Sequence, residues 1–252
     1  MSVFGGCSKA AEKTDVGLLN ADTLKVGMEI GYPPFELFAD DGVTPIGLDV
    51  DLANALAKEL GVKVDLQNTA WDGIFTGLDI DKYDVVISAA TIDPDRKLVM
   101  DFSDPYIKNW QSIVVRKDSA PITSVQGLAG LKVGYQESTT SDDYLNDLID
   151  SGAVSKVETF EYDKVTNVFD DLKLGRLDAV ICDSVVSDGY ILRDPDSFVL
   201  SWIQSSEPGA EAEEFGVAVK KGNTKLKTAI DAALKKLKDN GELDKILNNW
   251  LS

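Results

Sequence analysis

An α/β fold is predicted for this chain, and three observations predict it. Short apolar or alternating runs at 24–29, 62–66, 85–87, 111–117, 156–160 and 177–184 read as strands. Helical stripes alternate with them, the clearest being Leu52, Leu56 and Leu60 with Ala53 and Ala57 beside them. The length of 252 residues and a hydrophobic content of 44% are enough for one large domain or two modest ones around a real core.

Taken in order, residues 8–20 are polar and aperiodic and suit a flexible tether. Regular structure begins with the strand at Leu24. Pro33 and Pro34 then forbid helix and hold an extended loop, so Tyr32 and Phe35 sit at a strand's carboxyl end, where the clefts of α/β sheets lie. Phe35 suits core packing better than Tyr32. After the turn at Asp40-Asp41-Gly42, the first helix carries the leucine stripe and stops at Gly61. Asp49 and Asp51 read as charges at its N-terminus. The strand at 62–66 leads to a second helix that opens near Trp71.

The apolar run Val85-Val86-Ile87 enters Ser88-Ala89-Ala90-Thr91-Ile92-Asp93-Pro94-Asp95-Arg96. Small residues at a strand end let another molecule approach the backbone. Asp93 reads as a helix cap with Pro94 at the first helical position. Free N–H groups there, with the Thr91 hydroxyl and the Arg96 guanidinium, make a carboxylate receptor. The alternative is a surface arginine paired with Asp93 or Asp101.

Farther on, a strand from Leu131 meets the loop Ser138-Thr139-Thr140 and another helix. Such a start suits a phosphate or a carboxylate, but no Gly-x-x-x-x-Gly-Lys pattern marks a nucleotide loop. The strand at 177–184 ends in Asp183, an acid that is costly unless something positive meets it; Arg176 and a helix N-terminus are the local options. By alternation Cys182 faces the core. Residues 205–214 are polar and acidic, and an amphipathic helix with Leu226, Ile230, Ala233, Leu234 and Leu237 follows.

Composition narrows the function. A formal net charge of −18 opposes binding to nucleic acid or an anionic membrane. The absence of histidine removes His-based triads and the commonest zinc ligand. The two cysteines, Cys7 and Cys182, suggest neither a disulfide framework nor a metal cluster, and no run reaches the roughly 18 apolar residues of a membrane helix.

Segment 88–96 resembles the carboxylate-binding segment of the polar amino-acid-binding proteins of ABC importers. Gly47-Leu48-Asp49-Val50-Asp51-Leu52 is similar to that family's signature at the first helix. The resemblance runs from about Thr23 to the C-terminus. It implies the type II periplasmic-binding-protein fold, with two α/β lobes hinged around a cleft. The expected organisation is a tether at 1–20, a first lobe at 21–109 and 212–252, and a second lobe at 110–211. Met1 to Ser8 also resembles the end of a lipoprotein leader, with Cys7 as the lipidation candidate; a plain tail with an idle cysteine is the alternative.

The resemblance further implies a ligand site. Arg96 and Thr91, met by Thr139 and Thr140 from the second lobe, would hold the carboxylate of a free L-amino acid. Asp183 and the Ala89 carbonyl would hold its ammonium, and Tyr32 and Trp71 would stack on it. Glu29 would reach its side chain. Trp71 has burial between helix and sheet as its alternative, and Glu29 a salt bridge to a lysine of the protein. The expected substrates are arginine or lysine first and glutamine or another polar amino acid next, delivered to a membrane permease. No cofactor or metal is implied, the expected state is a monomer, and the expected location is periplasmic or lipid-anchored at the outer face of the membrane. The rival is an enzyme on the same scaffold that dehydrates prephenate or arogenate with a pocket carboxylate as general acid.

Overall fold

The structure, a computed structural model, describes residues 15–251. Cys7 and most of the expected tether lie outside the described residues.

The chain opens with β1 (Thr23–Met28), whose last three residues are buried. A small hairpin, β2 (Leu37–Phe38) and β3 (Pro45–Ile46), leads to α1 (Leu48–Leu60). The leucine stripe of α1 faces inward, and Gly61 ends the helix with φ 68°, its N–H turned back on the Ala57 and Lys58 carbonyls. Next come β4 (Lys63–Asn68), a 3-10 turn at Trp71–Gly73, α2 (Ile74–Asp79) and β5 (Val85–Val86). The expected helix at Pro94 is a single turn, α3 (Arg96–Val99), because the chain passes at once into β6 (Met100–Phe102).

β7 (Ile107–Asn109) carries the chain out of this region and β8 (Gln111–Arg116) begins the next. There follow β9 (Lys132–Gln136), α4 (Thr140–Asp150), β10 (Glu158–Tyr162) and α5 (Val165–Lys173). β10 starts two residues later than the apolar pattern suggests, since Lys156 turns the backbone at φ 59°. The region closes with β11 (Ala179–Asp183), α6 (Ser184–Arg193) and β12 (Phe198–Ile203). β13 (Glu213–Phe215) returns the chain to β14 (Ala218–Lys220), α7 (Thr224–Asp239) and α8 (Glu242–Leu251).

Two five-stranded sheets result, ordered β4-β1-β5-β14-β6 and β10-β9-β11-β8-β12. Each combines parallel strands with one antiparallel strand: β14 in the first, β8 in the second. Between them β7 and β13 pair antiparallel as a two-stranded ribbon, so the chain crosses out and back side by side. The fold is thus two sheet-based lobes joined by that ribbon. The carboxyl ends of β1, β5, β9 and β11 meet at the interface, where α/β sheets place ligand sites. Where the loop after β1 meets α6, Gly189 lies so close to Pro33 that a Cβ would stand 2.8 Å from its carbonyl oxygen.

Candidate functional site

The first wall of the site grows from the ends of β1 and β5. Ser88 and Ala89 follow β5, and Ala89 adopts φ 46°, a left-handed conformation uncommon outside glycine. Asp49 maintains it: its Oδ2 accepts the Ala89 N–H at 2.7 Å and the Tyr106 hydroxyl at 3.0 Å. Asp49 is therefore no exposed helix charge, as its place at the start of α1 suggested, but a fully buried acid behind the strand end. Asp51 instead accepts the Trp250 indole N–H at 2.8 Å.

Glu36, also fully buried, accepts the Ser88 hydroxyl, and Ser88 Oγ accepts the Glu29 N–H at 3.0 Å. Glu36 Oε2 and Asp49 Oδ1 receive no hydrogen bond from elsewhere in the protein. A proton held on Glu36 and directed at Asp49 satisfies the pair. Burial, then the charge of Asp49, pushes Glu36 well above the carboxylate range. Burial likewise raises Asp49 to about 7 against the bonds from Ala89, Tyr106 and Glu36.

Arg96 lies between aromatic rings, its guanidinium 5.4 Å from the Trp71 centroid and 5.1 Å from that of Phe75. Its nitrogens reach the Thr91 and Ser138 carbonyls at 3.4 Å each. The surface-arginine alternative is not what the structure holds. Asp93 caps its own turn by accepting the Asp95 and Arg96 N–H groups, and Asp101 pairs with Lys221 at 3.0 Å. Among the described residues Arg96 has no ion-pair partner. Burial lowers its pKa, opposed by the field of Asp93, Asp143, Asp183 and Glu213.

The second wall comes from β9, α4 and β11. Ser138 accepts the Trp71 indole N–H at 2.8 Å, so that ring spans the cleft. Thr139 caps α4 and donates to the Gln136 carbonyl at 2.7 Å, while Thr140 Oγ1 stands 3.4 Å from Thr91 Oγ1 across the cleft. Asp183 ends β11 almost fully buried. Its Oδ2 accepts the Tyr32 hydroxyl at 2.6 Å, and its Oδ1 accepts amide N–H groups of Asn109 at 2.7 Å and Gln111 at 3.0 Å. Arg176 pairs with Asp171 instead, at 2.7 Å. Burial raises the Asp183 carboxyl, chiefly opposed by those three donors. Cys182 is buried as expected, and its Sγ lies 4.0 Å from the Tyr32 hydroxyl.

Glu29 faces the same space with no lysine paired to it among the described residues. Its carboxylate accepts Gln136 Nε2 at 2.6 Å and the Trp71 N–H at 3.3 Å. Burial lifts it above its ordinary range. The space between the walls is lined by Glu29, Tyr32, Trp71, Ala89, Thr91, Arg96, Thr139, Thr140 and Asp183, joined by Ser88 and Gln136. All nine candidate pocket residues are thus brought together. Gln136 went unread, although its place at the end of β9, beside Ser138-Thr139-Thr140, is a strand-end signal. Asn109, Gln111 and Glu213 also carry no local motif.

The arrangement offers a guanidinium at one end, a buried carboxylate at the other, aromatic rings between them, and a second acid beside the rings. Among the described residues no group of histidine, cysteine, aspartate or glutamate is placed to hold a metal ion, and no helix is long and apolar enough to cross a membrane.

Comparison with known proteins bears on the family and the fold. The family model for bacterial extracellular solute-binding proteins, family 3, matches residues 24–252. The L-cystine-binding protein TcyJ of Escherichia coli (strain K12) is 34% identical over 94% of this chain and 86% of its own. ABC transporter arginine-binding protein 1 of the same organism is 31% identical over 93% of each chain. A solved ancestral arginine-binding protein bound to arginine superposes with a TM-score of 0.84 at 38% identity, covering 91% of this chain and 98% of that one.

Proposed function

The chain belongs to the bacterial extracellular solute-binding proteins of family 3, and on that premise we propose that it captures a free L-amino acid between its lobes for an ABC transporter. Arginine or lysine is the preferred ligand, and glutamine or another polar amino acid the next. The relatives named for cystine and arginine support the amino-acid class.

The observation that carries this reading is the split of opposite charges across the cleft. Arg96, without an ion-pair partner among the described residues, stands on the first lobe, and the buried Asp183 on the second. A zwitterion has its own opposite charges a few bonds apart, so one molecule pairs with both only when the lobes are together. Its binding free energy then biases the protein toward closure, the difference a permease can sense. Thr91, Thr139 and Thr140 surround the carboxylate end, and the Ala89 carbonyl joins Asp183 at the ammonium end. Glu29 selects the side chain. A buried acid satisfied only by amide N–H groups, beside Trp71 and Tyr32, suits a cation better than a neutral group. Asp183 weighs against the dehydratase reading, since it would repel a carboxylate of prephenate.

A thermal-shift panel of L-amino acids and prephenate, followed by calorimetry on each hit, tests the reading. Arginine or lysine is expected to raise the melting temperature most, with about 2.7 kcal/mol of stabilisation at a hundred times Kd. Stabilisation by prephenate alone, with ultraviolet absorbance changing over time, would overturn it.

A further inference from the structure

Glu213 reads in the sequence as one acid in a polar crossing segment, yet it opens β13 opposite Asn109, at one end of the ribbon that joins the lobes. Its carboxylate accepts Gln111 Nε2 at 3.1 Å on both oxygens, Asn109 Nδ2 at 3.1 Å and the Thr140 hydroxyl at 3.4 Å. The same two amide nitrogens donate to Asp183 Oδ1. Gln111 Nε2 also lies 3.3 Å from Thr140 Oγ1. Its two hydrogens therefore face more acceptors than they can serve, and two ionised carboxylates here would be under-satisfied.

The surrounding charges do not relieve this. Asp183 faces Glu213 from β11, Arg96 from α3 and the Tyr144 hydroxyl from α4. On the ribbon itself, Lys108 and Glu214 are opposite each other in register and, by strand alternation, on the other face. Among the described residues neither Glu213 nor Asp183 has an ion-pair partner.

We propose that Glu213 is a positioning residue of the binding site: Glu213 and Asp183, served by the same Asn109 and Gln111 amides, hold one proton between them, and that proton leaves for solvent when a ligand ammonium docks on Asp183. This rests on the amino-acid reading above and deepens it. The ammonium brings to Asp183 the positive charge that the proton supplied before, so both acids can ionise and the amides are held more firmly. Burial and the charge of Asp183 push the Glu213 carboxyl up to about 7, which places the exchange near neutral pH. Proton release is then greatest somewhat below pH 7, and affinity rises with pH through that range by at most about tenfold per unit, levelling off above about pH 7.

Calorimetry of L-glutamine and L-arginine, each in two buffers of contrasting ionisation enthalpy, counts the released protons. Glutamine has no side-chain cation, so its count excludes a contribution from Glu29. Roughly half to one proton per ligand is expected at pH 6.5 and close to none at pH 8.5. Glu213→Gln is expected to bind with a count near zero and a flat pH profile, and Glu213→Asp to restore the release. A zero count in the unaltered protein at pH 6.5, or an unchanged count in Glu213→Gln, overturns the proposal while leaving the amino-acid site standing. If no amino acid of the panel binds, the reading it rests on falls as well, and this proposal with it.

Discussion

Two pairs of acids flank the cleft, Glu36 with Asp49 and Asp183 with the partly buried Glu213, and they are satisfied in different ways. Glu36 and Asp49 lie behind the end of β5, held by a backbone N–H, two hydroxyls and each other. Asp183 and Glu213 lie at the ribbon, held mainly by the side-chain amides of Asn109 and Gln111, with Asp183 on the cavity wall. Burial raises the carboxyls of both pairs. The first pair has no exposure and can act only on the protein's own backbone. The second faces a space that another charged molecule can enter. The difference teaches that one cost, desolvation, serves stability where it is enclosed and recognition where it is left open.

The comparison can be broken by changing one side at a time. The largest effect is expected from Arg96→Ala, which removes the cation opposite Asp183. L-arginine affinity measured by calorimetry should fall at least about a hundredfold, roughly 3 kcal/mol, with the melting temperature of the free protein little changed. Unchanged affinity would place the gripping site elsewhere. Asp49→Ala should do the reverse: the Ala89 N–H and Tyr106 hydroxyl lose their acceptor, and denaturant unfolding should show a loss of about 3 kcal/mol.

A third test uses pH. Glu36 and Asp49 hold protons in the folded state that an unfolded chain would lose near pH 4, so their contribution is full below that value and fades as pH rises through about 7. Stability should fall by at least about 3 kcal/mol between pH 5 and 8, and Glu36→Gln, which keeps a donor toward Asp49, should flatten that slope. The smallest effect is expected at Gly189, where the lobes meet outside the cavity. Gly189→Ala sets a methyl against the Pro33 carbonyl and should weaken ligand binding by about fivefold, near 1 kcal/mol, with scattering in ligand showing a more open particle.

Much of the fold could be read in advance, because α1 and the strands announce themselves by periodicity within a dozen residues. The candidate pocket was legible mainly through the family resemblance, which local pattern supports at two places: Thr91 and Arg96 lie in one short segment after a strand, and Asp183 ends an apolar strand. Asp49 was misread because an acid at a helix start looks the same whether it faces water or a distant amide; its partners are Ala89 and Tyr106. Gln136 was missed for want of local pattern, since its partner Glu29 is 107 residues away. The expected helix after Pro94 shrank to one turn because β6 claims Met100 for the first sheet.

Of the four tryptophans, Trp202 and Trp250 hydrogen-bond to Glu207 and Asp51 within their own lobes, while Trp71 reaches over to Ser138. Opening the cleft exchanges that carbonyl for water. Intrinsic emission should therefore change colour and intensity as the molecule opens and shuts, giving an optical gauge of capture that needs no dye, and one that Trp71→Phe should silence.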